Sequence, residues 1–137
     1  LLNKIPAFGV DVVVVSLGVN DVTSSLNLKK WLRLQDELRV LLVTKFNAKH
    51  IILSSVPPMN HFPALPQPLR WYLGRRSKAF NMALLHQSKN YTELEYIDIN
   101  FPSTKDYLAA DGFHPSDRAY KFWSEYMANS IQSRYKL

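Results

Sequence analysis

The chain has 137 residues, of which 47% are hydrophobic, and a formal net charge of +6. This is enough chain for one domain with a core of its own. The absence of cysteine excludes disulfides and thiolate metal sites. No apolar run approaches the roughly 18 residues needed to span a bilayer.

In chain order, Asp11–Leu17 reads as a strand. Its four consecutive valines lack polar alternation and predict burial on both faces, as in a parallel sheet. Residues 18–27 read as a polar loop, with Thr23, Ser24, Ser25 and Asn27 as helix-cap candidates. Leu28–Phe46 reads as an amphipathic helix with Leu28, Trp31, Leu34, Leu38, Leu41 and Leu42 on its inner face. His50–Ser55 is a second buried strand, stopped by Pro57 and Pro58, which cannot donate to a sheet ladder. Met59–Pro68, with three further prolines, predicts no regular element. Leu69–Asn90 reads as a helix interrupted at Gly74, with Phe80, Ala83 and Leu84 facing inward. Leu94–Ile99 is a third strand and residues 100–115 are loop. Ser116 caps a last helix with the stripe Ala119, Phe122, Trp123, Tyr126, Met127, Ser130 and Ile131. Alternating strands and helices predict right-handed crossovers and a parallel sheet covered on both faces.

The basic residues are scattered over predicted helix faces (Lys29, Lys30, Arg33, Arg39, Lys45) and are not interleaved with aromatics. No nucleic-acid partner is therefore expected. The densest group, Arg70, Arg75, Arg76 and Lys78, fits a solvated helix start or a loop beside an anionic site equally well. The chain opens on Leu1 with no signal-peptide pattern in residues 1–9, so it reads as part of a longer polypeptide whose compartment stays open.

In a parallel sheet, ligands bind beyond the carboxyl ends of the strands. The loops after the three strands carry Gly18-Val19-Asn20-Asp21, Val56 to Asn60, and Asp111-Gly112-Phe113-His114-Pro115. An acid three residues before a histidine, across a glycine turn, can orient the imidazole locally as a general base. Asn20 offers a neutral amide that can bind an oxygen gaining negative charge. His50, His61 and His86 have no acid at a useful spacing.

The blocks Asp11–Asp21 (DVVVVSLGVND) and Asp111–Pro115 (DGFHP), about 90 residues apart, resemble two sequence blocks of the SGNH hydrolases, the GDSL-type esterases and lipases. The resemblance covers essentially the whole chain. It implies a three-layer α/β/α sandwich with a parallel sheet, here a single domain over residues 1–137 lacking the N-terminal strand or strands. It also implies that Asp111 and His114 are the acid and base of a Ser-His-Asp triad and that Asn20 is an oxyanion-hole donor, with no metal or cofactor. The family's nucleophile belongs to a Gly-Asp-Ser block on an earlier strand, which this sequence does not contain.

No serine here replaces it. Ser16 falls within a predicted buried strand, Ser54 and Ser55 lack a glycine turn to expose a hydroxyl, and Ser116 is a helix cap. The 137-residue chain alone is expected to be catalytically silent. The substrate expected for the parent is a small-molecule, lipid or carbohydrate ester. Val22, Met59, Phe62 and Phe113 are the acyl-pocket candidates, and the segment from His61 to Trp71 borders the pocket or packs on the surface. Two alternatives stay open. One is a non-catalytic binding domain of the same fold, which a missing Gly-Asp-Ser upstream would favour. The other is a metal-dependent phosphoesterase, which sensitivity to EDTA would favour. Self-association through an exposed sheet edge is the expected consequence of the missing strand.

Overall fold

The computed structural model describes residues 2–99, 101 and 105–135. The regular elements are strand β1 (Val12–Val15), helix α1 (Val19–Thr23), helix α2 (Leu28–Phe46), strand β2 (His50–Ser54), helix α3 (Leu69–Ser88), strand β3 (Leu94–Ile97) and helix α4 (Asp117–Tyr135). The chain forms two compact units. The first comprises residues 1–56 and 76–98, the second residues 57–75 and 99–137.

The first unit holds a three-stranded sheet in the order β1-β2-β3. Both pairs are parallel, with Val12 opposite His50 and Ile51 opposite Leu94. Sequential order with right-handed crossovers places α2 and α3 on the same face of this sheet. A small cavity of about 10 Å³ under α2 is lined by Val15, Leu38, Leu42, Ile51, Leu53 and Gln87, among others. It has room for no more than one water.

The central strand β2 is buried at all five positions. The valines of β1 are only half-buried, contrary to the burial on both faces that their run suggests. Position is the reason: among the described residues β1 pairs with β2 alone and is an edge strand.

Helix α2 has the bounds expected from its periodicity. Asn27 caps its start, with Oδ1 accepting from Lys30 N at 2.8 Å, and Asn47 ends it in the left-handed region at φ 48°. The buried face is Trp31, Leu42 and Phe46; Leu34, expected inside, is 39% exposed. Trp31 meets Phe80 of α3 with ring centroids 4.5 Å apart, and both are essentially fully buried. Rings of this size contribute about 1.5–3 kcal/mol each through burial. Arg39 of α2 reaches Glu93 at 2.7 Å and lies over the Tyr91 ring. His50, whose acid partner is invisible in local spacing, is buried with Nε2 2.7 Å from Glu95 Oε2.

Helix α3 runs unbroken through Gly74. The glycine serves a close approach instead of an interruption: a Cβ there would stand 2.6 Å from Asn60 Cβ. Asn60 belongs to a single 3-10 turn, Met59–His61, within the segment expected to be irregular throughout. Also in the second unit, Phe101, Tyr107, Phe122 and Tyr126 form a chain of ring contacts along α4. Ser116 caps α4 as expected, its hydroxyl accepting from Ala119 N at 3.3 Å and donating to Asp106 O at 2.5 Å.

Candidate functional site

In the second unit, the segment from Leu108 to Pro115 closes on itself. Leu108 and Pro115 form an antiparallel bridge, and Ala109 N donates to His114 O at 2.8 Å. Gly112 makes the reversal with φ 67°, a conformation that costs glycine little. A Cβ at Gly112 would lie 3.3 Å from Ala64 N, so the turn also sits close against the Pro-rich segment.

This turn brings Asp111 and His114 together. Asp111 Oδ1 accepts the backbone N–H groups of Phe113 and His114, each at 2.9 Å. Oδ2 lies 2.5 Å from His114 Nδ1. The imidazole beside it, followed by those two backbone N–H donors, lowers the Asp111 pKa to about 2. The carboxylate is thereby an acceptor at both oxygens, and Nδ1–H is the donor that satisfies Oδ2. Nε2 is then the basic nitrogen, on a side chain 70% exposed. Phe113 stacks edge-on against both the His114 and the Phe62 rings, at 5.4 Å each.

In the first unit, the segment after β1 is a short helix, α1, where a polar loop was expected. Gly18, at φ 125°, turns the chain out of the strand. A Cβ there would stand 2.5 Å from Val56 Cγ2, so only glycine fits both the conformation and the contact with the segment after β2. Asn20 is exposed on α1, and among the described residues its side-chain amide makes no hydrogen bond. Its neighbours are held: Trp31 Nε1 donates to Asp21 Oδ2 at 3.0 Å, and Val22 is fully buried. Asn81 fixes the facing segment by pairing with both the N–H and C=O of Val56, at 2.8 and 2.9 Å.

The remaining expected residues divide. Val22 and Met59 are fully buried and Phe62 is 7% exposed; they pack as core side chains and offer a substrate little or no open surface. Phe113 is half-buried beside the histidine. Ser16 is exposed, one residue past the end of β1, and not within a buried strand; Ser54 and Ser55 are buried. Two residues that sequence reasoning did not single out support the first unit's segments, Asn81 and Arg76. Arg76 was visible only as a member of a basic group, and Asn81 carried no signal at all.

A family model, the GDSL-like Lipase/Acylhydrolase family, matches residues 1–122. The chain belongs to the GDSL-like lipase/acylhydrolase family. Among solved structures, it is similar to a protein from Streptococcus pneumonia provisionally described as a platelet activating factor, with a TM-score of 0.75 at 19% identity. The similarity covers 89% of this chain and 60% of that one, so the chain spans less than two thirds of that neighbour's length. At this identity the likeness establishes the fold, an α/β fold with parallel strands and flanking helices, as the SGNH resemblance implied. No curated protein matches the chain.

Proposed function

We propose that the protein is a carboxylic ester hydrolase working through an acyl-enzyme, with Asp111 and His114 as the acid and base of its triad. The nucleophile in this proposal is a serine of a Gly-Asp-Ser block upstream of Leu1. Membership of an acylhydrolase family supports the reaction class. The observation that carries the assignment is the double use of the Asp111 carboxylate. One oxygen is anchored by two backbone amides, the other by the imidazole.

In the first half-reaction the serine oxygen attacks the ester carbonyl while His114 Nε2 takes its proton. The carbonyl oxygen becomes an oxyanion, bound by the Asn20 amide. The tetrahedral intermediate collapses, the C–O bond to the alcohol breaks, and Nε2 returns the proton to the leaving alkoxide. In the second half-reaction Nε2 accepts a proton from water as the hydroxide adds to the acyl-serine. The acid departs and the proton returns to the serine oxygen. Asp111 keeps its charge throughout and holds the tautomer.

The test is the full-length protein with p-nitrophenyl acetate. His114→Ala is expected to abolish turnover, and wild-type rates in that variant overturn the proposal. The 137 residues alone are expected to be silent, since losing the nucleophile costs a triad enzyme about 10⁶ in turnover.

A further inference from the structure

Arg76 is one of four basic residues clustered near the start of α3, yet it does not behave as a solvated surface charge. Its Nε donates to Val22 O at 2.8 Å. Its Nη2 reaches Ser24 O at 3.2 Å, Asp21 O at 3.5 Å and, closest of all, Leu26 O. The guanidinium carbon lies 5.0 Å from the centroid of the buried Phe80 ring. One side chain therefore gathers four carbonyls from a stretch of six residues, all of them between Asn20 and the start of α2.

That stretch needs an external partner. Helix α1 has five residues, too few to be stable by its own hydrogen bonds. Its last carbonyls have no following turn to satisfy them. Among the described residues, local groups serve the earlier carbonyls: Thr23 Oγ1 returns to Val19 O and Asn20 O at 3.2 and 3.1 Å, and Ser24 donates its Oγ and backbone N–H to Asp21 O at 2.8 and 3.3 Å, which leaves Val22 O, Ser24 O and Leu26 O to Arg76. A planar guanidinium with five donors suits several carbonyls at once, and a lysine ammonium on its flexible stem does not.

We infer that Arg76 is a positioning residue for Asn20: by binding the carbonyls that follow Asn20, it fixes α1 and with it the direction of the Asn20 amide. The inference rests on the assignment of Asn20 as the oxyanion donor. It goes beyond that assignment by naming what holds the donor in place. Displacing such a donor by about 1 Å costs on the order of 10² in rate. Because the oxyanion forms only after the bound ester is attacked, the loss falls on kcat rather than on KM.

The experiment is a double-mutant cycle in the full-length protein, with kcat and KM measured on p-nitrophenyl acetate. Asn20→Ala is expected to lower kcat about 10²-fold or more. Arg76→Met is expected to lower kcat about tenfold or more, with KM within about twofold of wild type. In the Asn20→Ala background the same change is expected to cost less than about twofold, because the donor being positioned is already gone. Arg76→Lys is expected to recover part of the loss; should Arg76→Met fail to fold, Arg76→Gln takes its place in the cycle under the same criteria. Wild-type kcat in the Arg76 variant overturns the inference, as does an equal fold-loss in both backgrounds. Wild-type kcat in Asn20→Ala overturns the assignment of Asn20 and the inference with it. A slow Asn20→Ala with an additive cycle overturns only the role of Arg76.

Discussion

His114 Nδ1 stands 2.5 Å from Asp111 Oδ2, while the other oxygen of the same carboxylate takes two backbone amides. The carboxylate cannot rotate without giving up three hydrogen bonds. In Asp111→Asn, the amide oxygen is expected to keep the two backbone donors, which turns the NH₂ toward Nδ1. The imidazole must then carry its proton on Nε2 and ceases to be a base. In the full-length protein kcat is expected to fall by about 10⁴ with little change in thermal stability. A loss under tenfold would show that the acid does not set the tautomer.

The pH dependence follows from the same carboxylate. Its pKa is depressed from 3.8 to about 2, first by the hydrogen bond with His114 and then by the amides of Phe113 and His114. The contact is thus fully formed above pH 4 and is lost only as pH falls through about 2. Asp111 therefore stays ionised above about pH 4. In the full-length protein its carboxyl carbon shift is expected to stay constant above pH 4 and to move only near pH 2, as followed by NMR. A carboxyl titration above pH 4 would show that the three donors do not hold the charge.

Gly74 sets two effects against each other. Alanine is better than glycine in a helix interior by about 1 kcal/mol. Here, however, the new Cβ would meet Asn60 Cβ at 2.6 Å and the Asn60 backbone N at 3.0 Å. Overpacking of this kind costs about 1–3 kcal/mol and, with backbone among the clashing atoms, is expected to win. Gly74→Ala should destabilise the full-length protein in urea denaturation. An unchanged or raised midpoint would show that the Met59–His61 turn yields freely.

Glu93 ties the start of β3 to α2 through Arg39, with both side chains mostly buried. Burial pushes the Glu93 carboxyl up, but its hydrogen bonds, with its own backbone amide and with Arg39, pull it below the usual 4.5 on balance. A depressed folded-state pKa means that its stabilisation is present above about pH 4.5 and fades as pH falls through the lower folded value. Glu93→Gln is expected to cost about 1–2 kcal/mol at pH 7. The gap from wild type should narrow as the pH is lowered to 3. A pH-independent difference in urea denaturation would place the loss elsewhere.

β1 offers an unpaired edge among the described residues and four half-buried valines. Such an edge is a template for another strand. The 137-residue chain is expected to sediment as a dimer or larger species. A stable monomer at tens of micromolar would show that the edge is protected.

The sequence determined what depends on near neighbours in the chain. The order of the three strands and the three long helices, though not the short α1, followed from hydrophobic period, the bounds of α2 from Asn27 and its apolar repeat, and the Asp111–His114 contact from a three-residue spacing across a glycine. Each is settled within about one turn of chain, where sterics and local hydrogen bonds dominate. Tertiary structure decided what depends on residues far apart. The run of valines is hydrophobic enough for a central strand, but its exposure follows from having one neighbour. Gly74 reads as a helix breaker until Asn60 occupies the space a side chain would need. His50 finds its carboxylate on Glu95, 45 residues away. Arg76, charged like its neighbours in the sequence, is set apart only because the chain returns four carbonyls to it from 50 to 55 residues upstream.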